Sequence, residues 1–379
     1  MDEYTDRVFV DDSKVYNQVS VKNIGEIELR GSAKGSLIGR KRQAKINLDD
    51  HPTTLVFTRQ TIEQGGIGFA PSTTNGAIVT ENMPTISVNV KVFSKSFLSA
   101  YFKTSAFRNT VILPNIKGGT AQVAVHESDV LASEIQIPKL DEQNSIGRLC
   151  ELVDNLIAAT QDKIDALEQT KRALLQRLFD QSWRFKGYSG SWEKHKLGDL
   201  AKRVRGNDGR MDLPILTISA GNGWLTQKER FSQSIAGNEL KNYTLLAKNE
   251  LSYNHGNSKL AKYGAVFALE KYNEALVPRV YHSFDVSGKA DSNFIEYLFS
   301  SKTPDHELRK LISSGARMDG LLNINYESFM NISLLFPSIE EQQKISGILE
   351  ITRKLSSETQ LILSRLTQIK KALLQKLFI

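Results

Sequence analysis

The chain has 379 residues, of which 40% are hydrophobic and 24% charged, and its mean hydropathy is −0.31. This length suits two or three domains, and no apolar run reaches the roughly 20 residues that a membrane-spanning helix needs. The net charge of +7 favours a polyanionic partner, and the single cysteine excludes an internal disulfide and a cysteine-rich zinc site. Because the first residues contain no apolar signal core, we expect a cytoplasmic protein.

The first block, residues 1–137, is predicted to be a mixed domain of strands and short helices. Short β-branched runs, such as residues 53–57 and 86–93, alternate with Gly, Asn and Pro turns, and residues 93–104 have a helical pattern. The glycine-rich stretch at 31–39 lacks the spacing of a P-loop, so we interpret it as a basic loop.

A long helix is predicted at residues 138–182. Asp141 and Glu142 follow Pro138 in its first turn, where carboxylates oppose the positive end of the helix dipole. Apolar residues recur at heptad spacing, and a second, adjacent apolar line makes the surface wider than a two-stranded seam requires. Cys150 lies in this seam, and we interpret it as a small buried apolar side chain rather than a reactive thiol.

An aromatic linker, residues 183–192, leads to a second mixed block at residues 193–336. Strand-like runs occur at 214–218, 264–269 and 276–284, and residues 291–301 have a helical pattern. The two blocks do not align convincingly with each other. This divergence suggests two different specificities on one shared scaffold.

The last segment, residues 337–379, repeats the first long helix. Pro337 aligns with Pro138 at an offset of 199 residues, and 17 of the 42 aligned positions are identical without a gap. Each helix would measure about 60 Å at ~1.5 Å per residue, and with one block between them the two most simply pair antiparallel, with pseudo-two-fold symmetry. Their apolar positions are predicted to serve pairing or partner docking: Ile146, Leu149, Val153, Leu156, Leu167, Leu174, Ile345, Ile348, Leu355, Leu366 and Leu373.

The same offset aligns Met1 with Leu200. The first block therefore has no counterpart of Trp192–Asp199, the segment that opens the second block. We expect the first block to differ from the second at this edge.

Motifs for catalysis are absent from the sequence. There is no Pro-Pro pair of the kind that an amino-methyltransferase needs to hold a flipped base, and no glycine-rich turn for S-adenosylmethionine. Asp305 is not followed by a nuclease Glu-x-Lys, and the six histidines show no metal-ligand spacing. We therefore predict a chain that binds rather than catalyses, with no metal of its own.

Polar residues suited to DNA readout cluster in both blocks. Arg and Lys recognise guanine or phosphate, and Asn and Gln recognise adenine. For a single charge the plainer interpretation is a solvated surface residue, and for His255 it is a hydrogen-bonded structural role. The candidates are Arg30, Lys34, Arg40, Lys41, Arg42, Arg59, Gln60, Asn75, Lys202, Arg203, Arg205, Asn207, Arg210, Asn254, His255, Asn257, Lys259, Lys262, Arg279 and Arg317.

Over its whole length the chain resembles the specificity subunit of type I restriction–modification systems. The similarity is most specific in the repeated helix starts (Pro138–Gln143, Pro337–Gln342), the repeated Ala-Leu-Leu-Gln ends, and WEKHKLGDL at the start of the second block. The segments KNELSYNHGNSKLAKYGAV and LLNINYESFMNISLLFPS also resemble this family's target-recognition domains.

The resemblance implies a division of labour. Residues 1–137 and 193–336 would be target-recognition domains, each reading half of a split DNA site, and the long helices would set the unread spacer. Two methyltransferase subunits would dock on this chain and supply S-adenosylmethionine, and restriction subunits would bring ATP and Mg. The chain itself would hold no cofactor and would not be an enzyme.

Two other interpretations remain open. One is the recognition subunit of a type IIB-like system, whose partner both cuts and methylates. The other is a coiled-coil adaptor that binds only proteins, for which salt-sensitive DNA affinity is not expected.

Overall fold

The computed structural model describes residues 1–39, 42–116, 124–231, 237–256, 258–312 and 322–378, without the side chains of Arg42, Phe231 and residues 237–239. The chain divides into two compact units. Unit 1 comprises Met1–Asp162 with Gln360–Ile379, and unit 2 comprises Lys163–Thr359, so each long helix contributes to both units. Among the described helices, none is long and apolar enough to cross a membrane.

Unit 1 contains two sheets. The first has strand order β1-β9-β6-β7 and is antiparallel, and the second has order β2-β5-β8-β3-β4, in which only β3 and β8 are parallel. Its described strands are β1 (Asp2–Tyr4), β2 (Asp6–Phe9), β3 (Val15–Val21), β4 (Ile27–Lys34), β5 (Arg42–Lys45), β6 (Thr54–Phe57), β7 (Ile67–Phe69), β8 (Ile78–Val79) and β9 (Thr85–Ser87).

Short helices cover the first sheet of unit 1. Leu55, Phe57 and Ile86 are buried against Phe97 and Leu98 of α1, so the alternation of the strands supplies one wall of the core. The helices are α1 (Lys95–Tyr101), α2 (Ser105–Phe107), a π-helical turn (Arg108–Ile112), α3 (Glu127–Ala132) and α4 (Leu140–Phe179), with 3-10 turns at Gly35–Leu37, Ile62–Gln64, Ser72–Thr74 and Leu113–Asn115.

Unit 2 is built on one four-stranded antiparallel sheet with order β11-β18-β15-β16, and three two-stranded pairs, β10-β19, β12-β13 and β14-β17. Its described strands are β10 (Glu193–Lys196), β11 (Lys202–Val204), β12 (Leu216–Ser219), β13 (Gly223–Thr226), β14 (Thr244–Ala247), β15 (Leu251–Asn254), β16 (Ala265–Ala268), β17 (Glu274–Val277), β18 (His282–Asp285) and β19 (Ser333–Phe336).

The core of unit 2 lies between this sheet and its helices. Tyr253 of β15 stacks on Phe329 at 4.2 Å between ring centroids, and Phe284 and Phe294 are fully buried beside them. The helices are α5 (Leu197–Leu200), α6 (Gln227–Phe231), α7 (Ser292–Ser300), α8 (Asp305–Lys310), α9 (Tyr326–Met330) and α10 (Ile339–Lys376), with a 3-10 turn at Gly237–Asn242.

The repeated glutamine at each long helix start has the same structural role in both units. In unit 1, Gln143 donates to the Pro138 carbonyl and accepts from the backbone N–H of Ser94, the N-cap of α1. In unit 2, Gln342 donates to the Pro337 carbonyl and accepts from the N–H of Asp291, the N-cap of α7. The motif therefore joins the start of α4 to α1 in unit 1, and the start of α10 to α7 in unit 2.

The helix ends are also equivalent. Phe378, at the end of α10, packs on Phe97 of α1 in unit 1, with ring centroids 5.0 Å apart. Phe179, at the end of α4, packs on Phe294 of α7 in unit 2 at 5.3 Å. In each unit the end of one long helix therefore lies beside the start of the other, which is the predicted antiparallel pairing.

The two units differ in the segment that precedes each long helix. In unit 2, β10 pairs with β19 immediately before α10. The equivalent of β19 by the 199 offset is residues 134–137, which form no strand in the structure. The linker is held in unit 2, because Arg184 makes a bidentate ion pair with Glu341 and Trp192 is buried against Phe294.

The predicted fold class is confirmed: mixed strands and short helices accompany two long helices that pack together. Cys150 is buried in the core of unit 1, and burial raises the pKa of its thiol, as expected for an apolar packing role.

Candidate nucleic-acid interface

Several loops of unit 2 meet at one end of its four-stranded sheet. β15 ends at Asn254 and β18 begins at His282, so the loop after β15 and the loop before β18 emerge together. The segment that begins at Leu322 joins them, because its N–H donates to the carbonyl of His255. The β12–β13 turn reaches the same place, since a Cβ on Gly221 would lie 3.1 Å from the Leu260 side chain.

Exposed cations are concentrated on these loops. Lys259 and Lys262 lie on the loop after β15, Arg279 lies on the loop before β18, and Arg205 follows β11 at the same sheet end. Among the described residues, these four side chains have no ion-pair partner, and Lys262 lies 5.6 Å from the Tyr263 ring. Cations on adjacent loops at one sheet edge can contact phosphates and base edges of a duplex.

Apolar side chains stand among these cations. Leu260 is 68% exposed, and Val280 is exposed directly beside Arg279. An apolar side chain presented to the major groove can contact a thymine methyl group. The surface formed by Arg205, Lys259, Leu260, Lys262 and Arg279 is called the unit 2 loop surface below.

Other predicted readers in unit 2 bond to neighbouring groups of the protein. Arg210 makes a bidentate ion pair with Glu274 at 2.7 and 2.9 Å and a further bond to Asp208, and these bonds lower the pKa of both carboxyls. Asn207 donates to the carbonyls of Arg210 and Leu240. These side chains hold the loop before β12 rather than presenting free donors.

Three further candidates, Asn254, Arg203 and Lys202, are neither unpaired cations of the loop surface nor fully engaged with the protein. Asn254 donates weakly to the Ile218 carbonyl at 3.4 Å and accepts from Gly256, which fixes the start of the loop after β15. Arg203 lies 4.1 Å from the Tyr326 ring and pairs with Glu327, yet stays exposed. Lys202 is exposed at the opposite end of β11, opposite Asp285.

His255, a predicted DNA contact, is held inside the protein in this structure. The side chain is buried, with Nδ1 2.7 Å from the Leu322 carbonyl oxygen and Nε2 3.0 Å from that of Val280. Both ring nitrogens therefore face the protein backbone. Asn257 and Arg317 lie outside the described residues.

In unit 1, the described candidates are more dispersed. Arg30 and Lys34 are exposed on β4, an edge strand, and have no ion-pair partner in the described part of the chain. Gln60 is exposed, whereas Asn75 accepts from the N–H of Leu48 and donates to Asp49. Arg40, Lys41 and the side chain of Arg42 lie outside the described residues.

Arg59, another predicted DNA contact, has an acidic partner within unit 1. Its guanidinium makes a bidentate ion pair with Glu127 at 2.5 and 2.8 Å, and both side chains are largely buried. Burial is the largest single effect and raises the pKa of Glu127, but the hydrogen bond and charge of Arg59, together with a backbone hydrogen bond, lower the pKa overall. Arg59 therefore joins the turn after β6 to the start of α3.

Asn222 is a candidate that the sequence analysis missed. It is exposed at the tip of the β12–β13 hairpin, beside Gly221 and Leu260. The available signal was Asn222-Gly223 between two apolar runs, a hairpin turn in which Gly223 has φ of +69°. Such a tip presents an amide without a long flexible stem.

The predicted docking residues separate into two groups. Val153, Ile345 and the half-buried Ile146, Leu167, Leu174, Leu366 and Leu373 face the cores or the helix pairs. Leu149, Leu156 and Leu355 are exposed, and Ile348 is half-buried. The prediction overlooked Leu152 and Ile351, which are 56% and 60% exposed.

Together these residues form one stripe in each unit, at i, i+3 and i+7: Leu149, Leu152 and Leu156 on α4, and Ile348, Ile351 and Leu355 on α10. The two stripes are related by the 199 offset, and both are called the repeated stripes below.

Comparison with known proteins supports the fold. No protein-family model and no curated protein matches the sequence. Among solved structures, the HsdS subunit from Thermoanaerobacter tengcongensis is similar, with a TM-score of 0.52 and 16% identity over 99% of this chain and 93% of that chain. The type I restriction–modification S subunit from M. genitalium has a TM-score of 0.55 and 13% identity over 100% and 96% of the two chains.

A third structure describes the assembly and conformational transition of a type I restriction–modification system, with a TM-score of 0.51 and 16% identity over 99% of this chain and 94% of that one. At these identities the comparison concerns the fold. Along almost its entire length, this chain has the fold of type I restriction–modification S subunits.

Proposed function

We propose that this chain is the DNA specificity subunit of a type I restriction–modification complex. Residues 1–137 and 193–336 act as target-recognition domains for the two halves of a split site, and the long helices at 138–182 and 337–379 set the spacer. The chain binds DNA and positions its partners, and it catalyses no reaction itself.

The main observation behind the proposal is that both units have the same arrangement of elements. Each unit joins a strand-rich block to the start of one long helix through the same glutamine bridge. The similar solved S subunits match 99–100% of the chain, so both units and both long helices lie within the matched fold. Two blocks of different sequence on a repeated scaffold suit a site with two different halves.

The proposed partners are double-stranded DNA, two methyltransferase subunits and restriction subunits. The repeated stripes support two copies of one partner, because both stripes have the same spacing and equivalent positions. S-adenosylmethionine, ATP and Mg would be bound by these partners. The unpaired cations of the unit 2 loop surface favour DNA as a partner.

Selection from random DNA tests this function. The chain is co-purified with the methyltransferase encoded beside it, mixed with a random duplex pool, and the bound DNA is sequenced at several salt concentrations. We expect a split motif with a fixed gap and an affinity that falls steeply with salt, since phosphate contacts release counterions. DNA affinity without any enriched motif would contradict the proposal, and the absence of DNA affinity would contradict it and favour a protein-only adaptor.

A further inference from the structure

A stack of aromatic rings lies directly beneath the unit 2 loop surface. The His255 and His282 rings are nearly parallel, with centroids 4.9 Å apart and an interplanar angle of 12°. Tyr253 lies 6.1 Å from the first ring and 5.9 Å from the second. Tyr253 and His282 face each other across β15 and β18, so the stack stands at the sheet end from which the loops emerge.

Each ring bonds to the backbone of a loop. Tyr253 donates its hydroxyl to the Tyr263 carbonyl at 2.7 Å, which holds the far end of the loop that carries Lys259 and Lys262. His255 reaches the carbonyls of Leu322 and Val280, and His282 reaches that of Ile324 at 2.8 Å. Three loop segments are thereby attached to one rigid group.

The rings have little freedom to move. Tyr253 is fully buried and stacks on Phe329, and Gly264 is required beside it because a Cβ there would lie 2.5 Å from the Tyr253 ring. Burial lowers the pKa of His282, so its ring is neutral near pH 7 and its Nε2–H donates to Ile324. Tyr253 and His282 stand on strands and His255 directly follows one, and side chains supported by a rigid sheet and locked by packing are held more precisely than side chains on loops.

We propose that Tyr253, His255 and His282 are positioning residues that set the DNA specificity of unit 2 without touching DNA. The inference rests on the proposed function. The loops carry the side chains that would contact bases, and the ring stack fixes the loop backbones relative to one another. A displacement of about 1 Å misplaces such contacts, so discrimination between base pairs depends on the stack.

The test compares His255→Phe with His255→Gln in the complex with the methyltransferase. Phenylalanine keeps an aromatic ring but donates no hydrogen bond, whereas the glutamine amide restores N–H donors. Tyr253→Phe, which removes only one hydroxyl, is a milder second variant. His306→Gln is the matched control, because His306 is a surface residue of the same unit that lies outside the stack.

Methylation rates are measured on the wild-type target and on duplexes with one base pair changed in either half-site. A single wrong base pair normally reduces recognition by roughly fivefold to hundredfold. We expect His255→Phe and Tyr253→Phe to lose about fivefold or more of this discrimination in one half-site only, and His255→Gln to recover much of it. A smaller fraction of folded protein would lower every rate equally and leave these ratios unchanged.

Unchanged discrimination in both phenylalanine variants, or equal loss at both half-sites, would overturn the inference while leaving the proposed function intact. A wild-type complex with no split target would overturn the proposed function, and the inference with it.

Discussion

Gln143 and Gln342 show why a motif at a helix start recurs. Each side chain satisfies a carbonyl of its own proline and an N-terminal N–H of a neighbouring short helix, and both glutamines are almost fully buried. Buried backbone groups left without a partner are costly, which explains an amide with both a donor and an acceptor at this position.

Gln342→Ala should therefore destabilise the chain by about 1–3 kcal/mol, because the Asp291 N–H and the Pro337 carbonyl lose their partner. The neighbouring Gln343 is exposed, so Gln343→Ala provides the matched control with little expected change. The midpoints of urea unfolding measure both effects. Equal stability of the two variants would show that the bridge contributes nothing.

Glu296 is a buried carboxyl in α7 that the proposed function does not use. Burial raises its pKa to about 7, although the Ala268 N–H donates to it and Arg353 lies nearby. A carboxyl with a higher pKa in the folded chain than in the unfolded chain binds its proton more tightly when folded. Its stabilising contribution is complete below the ordinary pKa of about 4.5 and is lost as pH rises through about 7.

Glu296→Gln mimics the protonated carboxyl at every pH. We expect the variant to match the wild type near pH 4.5 and to exceed its free energy of unfolding by roughly 2–4 kcal/mol above pH 7. Denaturant unfolding between pH 5 and 8 measures the difference. If the difference in free energy of unfolding between Glu296→Gln and the wild type does not change with pH, a raised pKa of Glu296 is ruled out.

At the scale of elements, the long helices combine core residues with an unpartnered repeated stripe. Cys150 and Leu349 are buried at equivalent positions of α4 and α10, while Leu152 and Ile351 point to solvent at equivalent positions. One set of apolar positions thus stabilises each unit, and the other is available to a partner helix.

Leu152→Asp together with Ile351→Asp should release both methyltransferase subunits, and either change alone should leave one. Removing a buried leucine-sized contact and adding a charge weakens binding by at least about tenfold. Leu361→Asp is the matched control, because Leu361 is equally exposed on α10 but aligns with Asp162 rather than with an apolar residue. Native mass spectrometry counts the subunits, and a fully assembled double variant would refute docking on the stripes.

Helix pattern and repeat were predictable because heptads and a 199-residue offset are properties of the sequence itself. The helical stretches at 93–104 and 291–301 were also found, but not their equivalence, which appears only when Phe97 and Phe294 pack on Phe378 and Phe179. The residues available for DNA contact were harder to predict from the sequence. Residue type did not distinguish Arg279, which is exposed, from Arg59 and Arg210, whose carboxylate partners lie 68 and 64 residues away in sequence.

At the scale of the whole molecule, each long helix runs from one unit into the other, so each unit contains part of both helices. Inserting seven residues after Asp162 and seven after Thr359 keeps the heptad pattern and lengthens each helix by about 10 Å. We expect the unread spacer to grow by about three base pairs at ~3.4 Å each, with both half-sites unchanged.

The control for this change is a seven-residue insertion in the linker at 183–192, which leaves both helices at their original length and should leave the spacer unaltered. Sequencing of methylated DNA reads both half-sites and the gap in one experiment. A constant spacer in the lengthened chain would refute the role of the helices as a ruler.

Under the proposed function, this chain specifies which DNA its complex methylates. Methylated bases are mapped by single-molecule sequencing in cells that carry this gene with its neighbouring methyltransferase gene, and in cells from which only this gene is deleted. We expect a split adenine-methylated motif that disappears on deletion. A motif that persists without this chain, or a methylome that is identical in the two strains, would show that this chain does not specify the methylated DNA.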